Sequence, residues 1–160
     1  MFVPFDTLPD SARIWIYPAN RPLSEEESIK IQDKMQTFLT QWTAHGTDLQ
    51  AGFKIIYKRF LVIALNEALQ SASGCSIDAS VRCIQEIEQE FNLTLLDKMN
   101  VTFRQGEYLA YKPLSEFKKL VKNRSVSKDT IVFNNLVLNK KELETLWEVP
   151  AQQSWHARFF

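Results

Sequence analysis

The stretch Gly52-Phe53-Lys54-Ile55-Ile56-Tyr57-Lys58-Arg59-Phe60-Leu61-Val62-Ile63-Ala64-Leu65-Asn66-Glu67 decides how the whole chain is read. Its apolar, β-branched and aromatic residues favour extended backbone, yet it is far longer than an ordinary strand of about 5–6 residues. Lys58-Arg59 is its only adjacent charged pair, so the stretch is predicted to be a hairpin turning there. No Asn-Gly or Asp-Gly reinforces that turn.

Working outward, Arg13–Tyr17 reads as a strand closed by Pro18 and Pro22, and Ser24 opens a helix with Glu27 completing a capping box. Ile31, Met35, Phe38, Leu39 and Trp42 then fall on one helical face, and Gly46 is the expected stop. Beyond the hairpin, Ser71–Ser76 is a loop before a second amphipathic helix whose buried side carries Ile77, Val81, Ile84, Ile87 and Phe91. Val101–Arg104 and Tyr108–Tyr111 are predicted strands joined across Gln105-Gly106-Glu107. Pro113 begins a third helix, Ile131–Phe133 is a further strand, and Asn139 with Glu142 caps a short helix ending near Trp147. The aromatic tail Ser154–Phe160 should dock on the body as an edge strand, because its rings would otherwise expose a large apolar area.

The order strand–helix–strand–strand–helix–strand is that of a split βαβ arrangement. The expectation is one α+β domain over residues 1–160: an antiparallel sheet with helices on one face, ferredoxin-like in its first half, with a C-terminal extension.

Composition narrows the function classes. With 45% hydrophobic residues and 24% charged ones in 160 residues, intrinsic disorder is excluded. Nineteen basic residues balance nineteen acidic ones, so no global attraction to nucleic acid or anionic lipid is expected. Two cysteines are too few for a disulfide scaffold or a thiolate metal site. Met1–Asp6 lacks a basic segment followed by an apolar run, and no apolar stretch approaches a membrane span, so the cytoplasm is the expected compartment. No motif implies a cofactor. Neither His45 nor His156 belongs to a metal-binding pair, so no metal site is expected.

If the predicted topology holds, the end of the first helix at His45, the loop carrying Cys75 and the Gln105-Gly106 turn share one edge. Ser73-Gly74-Cys75-Ser76 ahead of a helix suits an anion, since first-turn amides point outward with partial positive charge. Ser73, Gly74 and Ser76 are the candidate anion-binding residues. The same field would favour Cys75 as a nucleophilic thiolate, with His45 as base and Asp48 to orient it. Asp78 in that first turn opposes both uses. Cys75 and Cys83 are separated by about 12 Å of helical rise, beyond the ~7 Å limit for bridging. Cys83 therefore reads as a small buried residue, and Glu86, Glu88 and Glu90 as a solvated face. The segment Lys112–Lys128, with Lys112, Lys118, Lys119, Lys122, Arg124 and Lys128 against Glu116 alone and with Tyr108 and Tyr111 just upstream, is the one basic stretch that could follow a nucleic-acid backbone, Lys118, Lys119, Lys122 and Arg124 being its candidate residues. No complete catalytic constellation is present. The leading expectation is therefore a non-catalytic domain binding a small anion or a protein partner, ahead of a Cys75 thiol enzyme and of nucleic-acid binding.

Phe2-Val3-Pro4-Phe5-Asp6, Gln41-Trp42-Thr43-Ala44-His45-Gly46, Ser73-Gly74-Cys75-Ser76-Ile77-Asp78 and Ser154-Trp155-His156-Ala157-Arg158-Phe159-Phe160 resemble, over nearly the full length, a small bacterial family whose members often carry the name "ABC transporter ATPase". The resemblance brings no functional residues with it. The activity in that name fails on chemistry. A P-loop needs Gly-x-x-x-x-Gly-Lys-Ser/Thr to hold phosphates. Gly46 and Gly52 are one residue too far apart, Phe53 stands where lysine is required, and no Leu-Ser-Gly-Gly-Gln signature occurs.

Overall fold

Ser24 begins the first long helix as its spacing with Glu27 predicts. In the computed structural model, which describes residues 1–160, the Ser24 hydroxyl accepts from the Glu27 amide and the Glu27 carboxylate accepts from the Ser24 amide. Two first-turn donors are thereby satisfied reciprocally. The chain follows the order β1 (Arg13–Pro18), α1 (Glu25–Thr40), β2 (Thr43–Ala44), β3 (Thr47–Asp48), β4 (Ala51–Ile56), β5 (Phe60–Leu65), α2 (Gly74–Phe91), β6 (Asn100–Gln105), β7 (Tyr108–Pro113), α3 (Leu114–Lys122), β8 (Ile131–Phe133), α4 (Lys140–Thr145) and β9 (Glu148–Pro150). Its helices and antiparallel sheets make an α+β fold. The residues form two compact units: Met1–Leu96 with Leu138–Lys141, and Asp97–Val137 with Glu142–Phe160.

In the first unit the predicted hairpin is β4–β5, paired from Ala51 opposite Leu65 to Ile56 opposite Phe60. The turn places Tyr57 and Lys58 at φ 55° and 53°, and the Arg59 amide donates to Ile56 O at 3.1 Å. Two consecutive left-handed residues suit the twist of a hairpin, and here the chain achieves them without Asn or Gly. β5 is the central strand, flanked by β1 and β4, and every residue in it is buried. Leu61, Ile63 and Leu65 share one face and pack with Ile31, Met35 and Leu39 of α1 and with Cys83, Ile84 and Ile87 of α2. Two residues per strand repeat and four per helical turn thus meet in a single core.

The opposite face of β4 carries Gly52 for a steric reason. A Cβ at that position would lie 2.9 Å from both Phe5 Cα and Val3 O, where the N-terminal segment crosses. That segment is fastened by the Val3 amide donating to Ala51 O at 2.9 Å and the Ala51 amide donating to Met1 O at 3.1 Å. Arg21 joins the two long helices. It makes a two-pronged contact with Glu27 at 2.9 and 2.8 Å and donates to Phe91 O at 2.7 Å, at the end of α2. Its guanidinium holds the Glu27 carboxyl down to about 2.

α1 stops at Thr40, before the expected Gly46. His45 and Gly46, at φ 51° and 77°, instead form the turn of the small β2–β3 hairpin. Gly46 thus serves its backbone freedom in a different element.

The ferredoxin-like expectation holds for three strands and fails at the fourth. β1, β5 and β4 lie in the expected antiparallel order, but β6 belongs to a separate sheet ordered β7-β6-β8-β9. Both pairing edges explain the outcome. β6 pairs along its whole length with β7, from Asn100–Pro113 to Gln105–Tyr108, and takes β8 on its other side. The free edge of β1 is met by the returning chain, with the Ile14 amide donating to Leu138 O at 3.0 Å and Arg13 bridged to Asn139.

The second unit buries Val101, Phe103, Phe117, Val126, Val132 and Ala151. The aromatic tail packs there, but as short 3-10 helices, Ala151–Gln153 and Trp155–Phe159, and not as an edge strand. Side-chain direction gives the reason. A strand would send alternate rings to opposite sides, whereas a tight helical turn directs His156, Phe159 and Phe160 together onto Phe117, at ring separations of 6.1, 6.3 and 6.4 Å.

Candidate functional site

α2 begins with small polar residues because its first turn is closed by a serine pair. The Ser73 hydroxyl accepts from the Ser76 amide at 3.1 Å, while Ser76 Oγ accepts from the Ser73 amide at 2.7 Å and donates to Ser73 O at 2.8 Å. The Ser76 hydroxyl is therefore spent on the cap as both acceptor and donor, while the Ser73 hydroxyl only accepts there and keeps its own proton to donate. The Gly74 and Cys75 amides, one and two residues into the helix, have no acceptor within it. A Cβ on Gly74 would meet nothing within 4 Å, so approach to this backbone is open.

This helix start borders a groove of about 1190 Å³ in the first unit. Cys75, Ala79, Arg82 and Glu86 line it from one stripe of α2, Lys34 and Phe38 from α1, and Trp42 and His45 from the segment leading through β2. The structure thus brings Cys75 and His45 onto one groove, both exposed. Asp48 is exposed at the end of β3 and is not among the lining residues. The Gln105-Gly106 turn belongs to the β6–β7 hairpin of the second sheet.

Trp42 anchors the wall. Its indole Nε1 donates to Ser76 O at 2.8 Å, and its ring lies 5.8 Å from Phe38 and 6.1 Å from Trp15. The tryptophan that completes the α1 hydrophobic face therefore also positions the start of α2. Lys34 is paired with Glu86 at 3.1 Å, which neutralises that end of the groove. Arg82 is exposed with no ionic partner. Arg82 stands seven residues from Cys75, two helical turns along one face, and that spacing is the sequence signal for its place on the groove.

The two thiols differ in kind. Cys75 is exposed and Cys83 buried, and both are free. Cys83 Sγ lies 3.7 Å from Met35 Sδ, and burial, with Glu86 adding to it, pushes its thiol up to about 11. Cys83 is core, as a small apolar residue would be. The carboxylate row on α2 does more than face solvent. Glu88 accepts from the Leu95 and Leu96 amides at 2.7 and 3.0 Å, closing the loop after the helix.

In the second unit, Lys118, Lys119 and Lys122 stand exposed on α3, and Arg124 follows at φ 64°. Lys118 Nζ sits 5.4 Å from the Phe159 ring centre, so part of this basic row braces the tail. Tyr108 is 79% exposed at the start of β7, while Tyr111 is only half-exposed. His156 is buried, with Nδ1 2.7 Å from Ser154 Oγ and its ring stacked 3.9 Å from Trp155. No group of three or more His, Cys, Asp or Glu side chains is arranged to hold a metal ion. No helix is long and apolar enough to cross a membrane.

No family model, curated protein or solved structure matches this chain. The functional reading rests on the groove alone.

Proposed function

We propose that the chain is a non-catalytic cytoplasmic domain whose α1–α2 groove binds a small anionic ligand. The observation that carries the reading is the unpaired Arg82 on the same groove as the open first turn of α2, so that a guanidinium and two free amides border one cavity. Glu86 bears on the other side of the balance, but its charge is already met by Lys34. A ligand held tenfold above its Kd stabilises the native state by about 1.4 kcal/mol, a shift of several degrees in a chain of this size. Millimolar phosphate or sulfate should therefore raise the melting temperature, and Arg82→Glu or Gly74→Val should remove the gain. No shift in the parent protein ends this reading.

Cys75 and His45 on one groove favour a second reading, a thiol enzyme in which His45 takes the proton from Cys75. Its weakness is the missing orienting group, because Asp48 does not line the groove. A rate profile with a thiol reagent separates the two. Cys75 must react faster at pH 7 than a free thiol for the enzyme to stand; equal rates dismiss it.

A further inference from the structure

The chain from Ser154 to Phe160 is fastened to the second unit by its side chains alone. The last backbone bonds that reach another segment run from the Ala151 amide to Thr130 O at 2.8 Å and from the Gln152 amide to Lys128 O at 3.0 Å. Beyond them, the Ser154, Ala157 and Phe160 amides donate to Ala151 O, Ser154 O and Ala157 O, bonds local to this stretch. A terminal segment held this way can leave its seat without breaking a strand ladder or a long helix, at a fraction of the cost of global unfolding.

The most deeply set member of the tail is polar. His156 is 1% exposed, stacked 3.9 Å from the Trp155 ring and 6.1 Å from the Phe117 ring. Its Nδ1 lies 2.7 Å from Ser154 Oγ, and its Nε2 is buried without a partner. The core under the tail is Val101, Phe103, Phe117, Val126 and Val132, from β6, α3, the loop after α3 and β8, so these elements bring only apolar groups. The charges at this corner are cationic: Arg158 on the tail, which bears on the imidazole, and Lys118 of α3, 5.4 Å from the Phe159 ring centre. No carboxylate acts on the ring. Either neutral tautomer, once protonated, carries an N–H at Nε2 with no acceptor, desolvated and beside like charge.

We infer that the C-terminal tail is an acid-released strap: a proton on His156 moves Ser154–Phe160 off the second unit and bares Phe117, while both large sheets stay folded. Burial and Arg158 hold the docked imidazole at about 4 against an ordinary 6.5, so the open tail takes the proton first, and linkage makes opening about 20-fold more favourable at pH 5 than at pH 7.

The test is a ¹H–¹⁵N titration of the full chain from pH 7 to pH 4, with the His156 ring nitrogens followed in the same samples. The Ser154–Phe160 amides should move to coil positions in step with protonation of His156, while the β4–β5 and β6–β7 amides hold. His156→Phe should keep its tail docked over the whole range. A tail still docked at pH 4, or already loose at pH 7, overturns the inference. Release shared equally by His156→Phe does so too, because the histidine is then a bystander. Loss of all amides together overturns it as well, because the tail is then inseparable from the fold. Should His156→Phe not fold, the parent decides: a tail and an imidazole that titrate at different pH values contradict the strap.

Discussion

His156 shows how much one residue's surroundings decide. It is 1% exposed, and burial, with the nearby Arg158 charge, brings its imidazole down to about 4 from the ordinary 6.5. Its Nε2 has no hydrogen-bond partner, so a proton added there would have nothing to meet. Above about pH 6.5 the ring is neutral in the folded and unfolded chains alike. As pH falls from there, the unfolded chain takes up a proton that the folded chain refuses until about pH 4, and stability drops across that window. At about 1.4 kcal/mol per pH unit, the loss approaches 3 kcal/mol. Urea unfolding at pH 7 and pH 4.5 should show it, with a smaller pH dependence in His156→Phe. An equal pH dependence in both proteins contradicts the assignment. Arg124 gives a second test at this scale. The Ser125 amide donates to Leu120 O and the Arg124 amide to Val121 O, which is the pattern of a Schellman stop with arginine in the left-handed position. Arg124→Gly should raise stability by about 0.5–1 kcal/mol, measured by thermal unfolding.

Among the elements, legibility followed the range of the interactions. The α1 capping box and the β4–β5 hairpin were readable because each is specified by residues close in sequence. The end of α1 was misread because Gly46 satisfies two local rules, as a helix stop and as a hairpin turn, and only the pairing of Thr43 with Asp48 decides between them. The partner of β6 was not readable, since it depends on which chain reaches the free edge of β1, and residues Leu138–Asn139 arrive from much later in the sequence. Gly52 had no sequence signal beyond being a glycine within a strand. Its role depends on Val3 and Phe5 crossing it. Gly52→Ala should cost about 1–3 kcal/mol, as overpacking does where backbone cannot retreat. A melting temperature equal to that of the parent would show that the crossing segment is free to shift.

At the scale of the molecule, the α+β class was available from element order, and so was the placing of His45 and Cys75 along one groove, because both lie at one end of the antiparallel α1–β4–β5–α2 path. The rest of the candidate site was hidden for a physical reason. Ser73 and Ser76 look like ligands in sequence, yet both oxygens accept from cap amides and Ser76 also gives its hydroxyl proton to Ser73 O. Arg82 looks like any surface cation until the fold sets it on the groove without a partner. The claim that matters most is that an anion enters at the start of α2, and a ¹H–¹⁵N titration of the labelled chain reports on it residue by residue. With phosphate, the Gly74 and Cys75 amides and the Arg82 Nε resonance should move together and saturate, and the movement should disappear in Arg82→Glu. Resonances that stay fixed there, or that move only at Lys118, Lys119 and Lys122, would contradict the account.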